Sequence, residues 1–288
     1  MIDFSRLPKA GEMVFYFNRL QIFSLSRPAH TNSMSEFKRQ KKEFLVVPQI
    51  GQEMKYPPRY KFSGEYLLAE NCILSCHPGQ ISCTDFEFES LWKQKDSTPQ
   101  TPNPYLKDTF IKRRQGTYGA SYKFGKQKSE NIGPIHTAPE IVRRCLADAK
   151  ARAGSDSEMC TAVHVNWYDP GVGLGKHQDD ESIDGVAGGR PIFSYSFVVR
   201  EKDDKCPEKP FRFFVVYDDV YDEKRKKMKK TPIASVPTFN GDLIIMSGVN
   251  FQKKLFHAVP TTSALSVKGV RRINLTVRMW GGATGVGE

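Results

Sequence analysis

The run Arg272-Ile273-Asn274-Leu275-Thr276-Val277-Arg278 alternates strictly between polar and apolar side chains. Because successive side chains of an extended strand point to opposite faces, this alternation predicts a β-strand with one apolar face against a core. The opposite face carries two guanidiniums, an amide and a hydroxyl. Guanidinium groups bind carboxylates through paired hydrogen bonds, so this face is suited to a dianionic ligand.

A second polar face is predicted in the run 161–168. His164, Asn166 and Tyr168 fall on one side of that strand, and apolar residues fall on the other. Barrel interiors normally hold small or apolar side chains. An unpaired polar group costs about 1–3 kcal/mol when it is buried. Two such strands therefore indicate a buried polar ligand.

Metal-ligand side chains lie between these two strands. His177 and Asp179 are two residues apart, and His257 lies in a later strand with Leu255 and Val259 at period two. Two histidines and one carboxylate leave open coordination positions, as non-haem iron(II) requires for a co-substrate and dioxygen. His-x-Asp alone is common by chance, and His257 alone could be a hydrogen-bonded strand histidine. The glycine turn at 173–175 and the arginine strand favour the metal interpretation.

The remaining pattern predicts a mainly β chain with flanking helices. A helix is expected over 139–152, with Pro139 at its start and Gly154 after its end, and residues 95–105 are expected to form a loop. Several short strands separated by turns indicate an antiparallel barrel or sandwich. The predicted strands are 161–168, 191–199, 211–217, 241–246, 255–259 and 270–280.

Composition indicates the partner and the compartment. The 288 residues carry a formal charge of +11, which favours an anionic partner such as nucleic acid, although excess lysine alone gives the same number. The sequence contains no long uncharged apolar run, so no membrane span is predicted, and the N-terminus lacks a signal-peptide pattern. Six scattered cysteines suggest the reduced thiols of an intracellular protein. We expect the protein to be a monomer, and to be nuclear or cytoplasmic if it is eukaryotic. The group Cys72, Cys76, His77 and Cys83 lacks paired zinc-site spacing, which favours unconnected thiols.

Together these motifs resemble the AlkB family of iron(II)- and 2-oxoglutarate-dependent dioxygenases over about residues 111–280. The resemblance implies a double-stranded β-helix (jelly-roll) core at about 160–282 inside a domain of residues 44–288. Residues 1–43 are then expected to form a flexible or peripheral arm. The matching motifs are Asn166–Tyr168, His177–Glu181, Pro191–Ser196, Gly241-Asp242, His257 and Arg272–Arg278.

The resemblance also implies roles for individual residues. His177, Asp179 and His257 resemble the iron ligands. Arg272, Tyr168 and Asn274 would hold the distal carboxylate of 2-oxoglutarate; Arg278 and Asn166 would lie beside its metal-chelating carboxylate, and Thr276 shares their face. The implied reaction uses Fe(II), 2-oxoglutarate and O2 to remove N-methyl groups from DNA or RNA bases, releasing formaldehyde, succinate and CO2.

Substrate contacts are expected from two segments. Residues 105–130 resemble the family's nucleotide-recognition lid, in which basic residues would hold phosphates and Tyr118 would stack on a base. Asp180 and Glu181 follow the metal ligands, where they could offset the charge of 1-methyladenine or 3-methylcytosine; a solvated acidic pair is the alternative. The lid residues expected to contact substrate are Arg114, Gln115, Tyr118, Gly119 and Tyr122.

A basic run, Lys224–Lys230, is expected to form a loop between strands ending near Tyr217 and beginning near Ile233. Such a loop could contact phosphates in a salt-dependent way, or it could be a solvated loop or a nuclear localisation signal. Two alternatives to base demethylation remain open. The same chemistry could act on protein or lipid, or the chain could be a catalytically inactive nucleic-acid-binding module.

Overall fold

The strands that the structure describes form two main β-sheets and one small hairpin. The computed structural model describes residues 63–103, 106–120, 123–124, 127–128, 130–179, 190–199, 212–260 and 270–279. The predicted arm of residues 1–43 and the segment 201–210 lie outside these residues. No helix in the described ranges is long and apolar enough to cross a membrane.

The larger sheet has eight strands in the order β1-β2-β12-β9-β14-β7-β3-β6. The central strand β14 lies antiparallel between β9 and β7, with Asn274 opposite both Ser196 and Asn166. The strands of this sheet are β1 (Gly64–Ala69), β2 (Cys72–His77), β3 (Arg114–Gly119), β6 (Glu130–Gly133), β7 (Cys160–Tyr168), β9 (Ile192–Val199), β12 (Asp242–Ser247) and β14 (Arg271–Met279).

The smaller sheet has four strands in the order β11-β10-β13-β8. Within it His257 lies directly opposite His177, so two candidate metal ligands are cross-strand neighbours. Its strands are β8 (Leu174–His177), β10 (Arg212–Asp222), β11 (Lys227–Thr238) and β13 (Leu255–Val259). The short strands β4 (Lys123–Phe124) and β5 (Gln127–Lys128) pair with each other.

In the described ranges, two helices of three to four turns and one single helical turn accompany the sheets. The first helix, α1 (Asp85–Ser97), begins with a capping box in which Thr84 accepts from the Glu87 amide and Glu87 accepts from the Thr84 amide. The others are α2 (Glu140–Ala153) and α3 (Phe251–Lys254), together with 3₁₀ turns at Ile135–Thr137 and Gly154–Met159. The predicted helix at 139–152 corresponds to α2, which Gly154 ends with φ +58°.

Most buried apolar side chains of the described residues belong to two cores, one on each face of the larger sheet. One core joins the outer face of that sheet to α1 and α2, and includes Trp167, whose Nε1 donates to the Leu91 carbonyl at 3.0 Å. The other core fills part of the space between the two sheets, where Leu74, Phe214 and Leu255 meet. Helices, large sheet and small sheet therefore form three layers.

The prediction of a mainly β jelly-roll core with flanking helices is confirmed. The alternation in β14 is also confirmed, because Ile273, Leu275 and Val277 all belong to the helix-side core. Two local predictions were wrong. Helix α1 extends to Ser97 into the segment expected to be a loop, and strands β10 and β11 reach Asp222 and Lys227, so the second half of the basic run is strand.

Candidate active site

A cavity of about 590 Å³ lies between the two sheets, within the usual range for small-molecule sites. Residues of β7 and β14 line one wall, and residues of β8, β10 and β13 line the other. Among its lining residues are nine predicted to bind the metal or the co-substrate: Asn166, Tyr168, His177, Asp179, His257, Arg272, Asn274, Thr276 and Arg278. The fold thus gathers all of the predicted metal and co-substrate side chains in one place.

His177, Asp179 and His257 form a compact ligand cluster. One nitrogen or oxygen atom from each lies within 4.8 Å of the other two, and they are the one such group in the described ranges. The Asp179 carboxylate is 3.6 Å from His177 Nε2 and 3.3 Å from His257 Nε2. Two imidazoles and one carboxylate on one side of a centre form the donor set of a non-haem iron(II) site.

The orientation of His177 is set by a neighbouring carbonyl. Its Nδ1 lies 2.8 Å from the Gly175 carbonyl oxygen, which can only accept, so Nδ1 carries the proton. The Nε2 lone pair then faces the cluster, as metal ligation requires. Burial, and next the charge of His257, lower the pKa of His177 to about 4, which keeps the ring neutral at pH 7.

Asp179 is held in its charged form by its neighbours. Burial alone would raise the pKa of this carboxyl, but Arg278 and the imidazole of His257 outweigh it and hold the pKa well below its usual range. Arg278 Nη2 donates to Asp179 Oδ1 at 2.9 Å. Arg278 therefore contacts the carboxylate of Asp179 directly, in addition to lining the cavity.

Arg272 is a buried cation without a carboxylate partner in the described part of the chain. Its Nη2 donates to Ser196 Oγ at 3.0 Å, while its Nε and Nη1 and the nearby hydroxyl of Tyr168 have no hydrogen-bond partner among the described residues. The guanidinium lies 4.8 Å from the centre of the Tyr168 ring. Burying such groups unpaired is costly, so three unsatisfied donors in one corner fit the distal carboxylate of 2-oxoglutarate.

The amide and hydroxyl of the same β14 face are already engaged. Asn274 Nδ2 donates to Ser194 Oγ at 2.9 Å and to the Tyr195 carbonyl at 2.7 Å. Thr276 Oγ1 donates to Asn274 Oδ1 at 3.0 Å. These contacts fix the shape of the cavity wall next to Arg272.

The predicted substrate residues are separated by the fold. Gln115 lines the cavity. The prediction for Tyr118 was wrong, because its ring is buried in the helix-side core and its hydroxyl donates to Gln94. Arg114 and Gly119 also lie away from the cavity: Arg114 donates to the Thr98 carbonyl at 2.8 Å, and Gly119 lies against Thr161. The positions of Tyr122, Asp180 and Glu181 lie outside the described residues.

Several cavity residues were not among the predicted site residues, including Arg113 and also His164, which the sequence had placed only on the polar face of the run 161–168. Arg113 donates to Asn166 Oδ1 at 3.0 Å and to Gln115 Oε1 at 3.1 Å, which links the cavity walls formed by β3 and β7. His164 also lines the cavity, with Nδ1 3.1 Å from Thr117 Oγ1, and burial followed by Arg278 lowers its pKa to about 3. The i, i+2 relation of Arg113 to Gln115, and of His164 to Asn166, was the signal in the sequence for both.

Comparisons with known proteins agree with this donor set. Residues 87–278, more than half of the chain, match the sequence profile of the 2OG-Fe(II) oxygenase superfamily. No curated protein matches the chain.

Three solved structures are similar in part. OsALKBH1 is 18% identical with a TM-score of 0.40, covering 75% of this chain and 99% of its own. A prolyl-4-hydroxylase of Pseudomonas putida is 12% identical with a TM-score of 0.37, covering 73% and 93%. The viral collagen prolyl hydroxylase of Paramecium bursaria Chlorella virus-1, in its 2OG complex, is 11% identical with a TM-score of 0.35, covering 71% and 93%. At these scores the likeness does not indicate a substrate.

Proposed function

The chain belongs to the 2OG-Fe(II) oxygenase superfamily, and from that premise we propose that it removes N-methyl groups from DNA or RNA bases. Fe(II), 2-oxoglutarate and O2 are the cofactor and co-substrates of this superfamily. The proposed products are formaldehyde, succinate, CO2 and the unmodified base.

Different residues of the cavity would bind the metal and the co-substrate. His177, Asp179 and His257 would hold Fe(II), and Arg272 with Tyr168 would hold the distal carboxylate of 2-oxoglutarate. When bound, the metal and co-substrate supply the oxidation of a methyl C–H bond by dioxygen. Arg278 keeps Asp179 ionised, and Gly175 keeps the lone pair of His177 directed at the metal position.

One observation carries the choice of a nucleic-acid substrate. The inward face of β14 presents Arg272, Asn274, Thr276 and Arg278, and this Arg-x-Asn-x-Thr-x-Arg pattern is the most specific part of the resemblance to the AlkB family. The formal charge of +11 supports an anionic macromolecule as partner. The exposed cations near the tip of the β10–β11 hairpin support the same partner.

A mass-spectrometric assay tests the proposal. Oligonucleotides carrying 1-methyladenine or 3-methylcytosine, as DNA and as RNA, are incubated with the protein, Fe(II), 2-oxoglutarate and ascorbate. We expect conversion of at least one methylated oligomer to the unmodified one, dependent on 2-oxoglutarate. The unmethylated oligomers serve as controls and should show no mass change.

Two outcomes would contradict the proposal in different ways. If 2-oxoglutarate is consumed only with peptide or lipid substrates, the chemistry is that of the superfamily but the substrate is another class. If no succinate forms under any condition while oligonucleotides still bind, the chain is a binding module without activity.

A further inference from the structure

The short helix α3 is hydrogen-bonded to the segment that begins at the proposed ligand His177, the last residue of β8, and ends at the proposed ligand Asp179. The Asp179 backbone N–H donates to Gln252 Oε1 at 3.0 Å, and both residues are buried. A neighbouring bond joins Gln178 Nε2 to the Lys253 carbonyl at 2.9 Å, nearer the surface. The His177–Asp179 segment is therefore connected to α3 by side-chain hydrogen bonds.

The same helix leads directly into the strand of the third ligand. Helix α3 ends at Lys254, β13 begins at Leu255, and His257 lies five residues after Gln252. Asp179 Oδ1 accepts a hydrogen bond from Arg278, and Asp179 Oδ2 lies 3.3 Å from His257 Nε2. A displacement of the Asp179 backbone would therefore change the distance between two ligands.

Gln252 is fixed within its own surroundings. Its Nε2 contacts the Met246 sulfur at 3.6 Å, which leaves Oε1 directed at Asp179 N–H. Met246 is itself buried and lines the cavity. The amide therefore joins the cavity wall at Met246 to the backbone of Asp179.

We propose that Gln252 is a positioning residue for the metal centre, which holds the Asp179 backbone so that the carboxylate faces both histidines before the ion binds. Partners outside the coordination sphere commonly change metal affinity by about 10- to 100-fold when they are removed. This inference concerns the metal centre and not the substrate, so it holds or fails independently of base demethylation.

Cobalt(II) binding measures this role without catalysis. The purified full chain is titrated with Co(II) and the ligand-field absorption gives both the dissociation constant and a signature of the coordination. In Gln252→Met the side-chain length is kept and the oxygen acceptor is removed, and we expect the dissociation constant to rise roughly tenfold or more with an altered spectrum. Gln252→Glu keeps an oxygen acceptor, so it should retain Co(II) binding and the wild-type spectrum.

Gln178→Met is the matched control. This substitution removes a side-chain amide that is bonded to the same helix but accepts no hydrogen bond from the backbone of a metal ligand. The Co(II) dissociation constant of Gln178→Met should therefore stay within about threefold of wild type, which is less than the roughly tenfold change expected on losing a group that positions a ligand. Unchanged binding in Gln252→Met, or an equal loss in Gln178→Met, would overturn the proposal. If Gln252→Met fails to fold by circular dichroism, loss of Co(II) binding in a folded Gln252→Glu overturns it instead.

Discussion

Asp179 connects the other groups of the metal centre. Its carboxylate meets Arg278, His177 and His257, and its backbone meets Gln252. The sequence predicts Asp179 as a ligand only when the His-x-Asp spacing is combined with His257, the glycine turn at 173–175 and the arginine strand. It could not indicate that Arg278, 99 residues later, donates to the same carboxylate, because that hydrogen bond depends on how the two sheets face each other.

Replacing Asp179 with Ala should abolish turnover, because one of three ligands is lost and Arg278 is left without its carboxylate. Succinate formation under saturating Fe(II) and 2-oxoglutarate measures this effect. Binding of an oligonucleotide should survive, since no phosphate-binding group is removed. Asp169→Ala removes a carboxylate that pairs with Lys95 instead and should retain activity; full activity in Asp179→Ala would refute the metal assignment.

Arg272 and Arg271 are adjacent cations on opposite faces of β14. Arg272 lines the cavity, whereas Arg271 donates to Glu89 at 2.9 Å and lies near the rings of Phe88 and Trp92. Hydrogen bonds to charged groups contribute about 1.5–3 kcal/mol, and lysine cannot reproduce the two-point fork of arginine. In Arg272→Lys we therefore expect the KM for 2-oxoglutarate to rise roughly tenfold or more.

The neighbouring substitution Arg271→Lys is the control for that experiment. It should leave the KM for 2-oxoglutarate within about twofold of wild type, because the loss of a half-exposed ion pair changes mainly stability. Equal increases in both variants would mean that the effect comes from a weakened sheet and not from the loss of a hydrogen bond to the keto acid.

Among the elements, strands with a strict period of two were predicted best. Strand β13 has the predicted bounds, and β7, β9, β12 and β14 differ from prediction by one residue at each end or less. Helix α1 was not predicted, because only Phe88 and Leu91 of its side chains are buried, so it has almost no apolar stripe. Its start depends on the Thr84–Glu87 capping box, a signal that periodicity does not contain.

The capping box gives a stability prediction for α1. Thr84→Ala removes the side chain that accepts from the Glu87 amide and should lower the free energy of unfolding by about 1 kcal/mol. For a chain of this size we expect a fall in Tm of about 2–4 °C by thermal melting. Ser97→Ala, at the other end of the same helix, serves as the control, and an equal loss there would argue against the N-terminal cap as the cause.

The β10–β11 hairpin gives a prediction for nucleic-acid binding. Arg225, Lys227 and Lys229 are exposed near its tip, whereas Lys230 pairs with Asp219 and lies 3.2 Å from the centre of the Phe256 ring. Changing Arg225, Lys227 and Lys229 to Gln should weaken oligonucleotide binding. The slope of log K against log salt concentration should fall by about 0.7–0.9 for each phosphate that the variant no longer neutralises. Fluorescence anisotropy at several salt concentrations measures this slope.

Three other cations provide the matched control for the hairpin. Lys93 on α1, and Arg143 and Lys150 on α2, belong to the helical layer behind the larger sheet. Changing them to Gln removes the same charge and should leave the salt slope close to that of wild type. Equal slopes for both triple variants would show that net charge, and not the hairpin, determines binding.

The fold class was predicted correctly from the sequence, and the predicted metal and co-substrate residues line one cavity, whereas Arg114, Tyr118 and Gly119 of the predicted substrate residues lie away from it. Apart from Asp179, which follows β8, the metal and co-substrate residues lie on regular strands, where alternation determines the face of each side chain. Tyr118 was misassigned because β3 is itself a strand of the larger sheet, and its alternation directs Gln115 to the cavity and Tyr118 to the core. Treating residues 105–130 as a lid concealed that periodicity.

Ligand binding should stabilise the entire chain. Arg272 is buried with unsatisfied donors, so an anion that binds there in the folded state alone raises the free energy of unfolding, by about 2.7 kcal/mol at a hundred times its Kd. We expect Mn(II) with 2-oxoglutarate to raise the Tm clearly. The 2-oxoglutarate part of the shift should be absent in Arg272→Met, and an undiminished shift there would place the keto acid elsewhere.

Base demethylation is tested by measuring the joint yield of formaldehyde and succinate from a single methylated oligonucleotide. The wild-type protein with Fe(II), 2-oxoglutarate and O2 should release the two products in near-equal amounts, and Asp179→Ala should release neither. Succinate without formaldehyde on every methylated DNA and RNA oligomer, together with coupled turnover of a peptide, would contradict base demethylation.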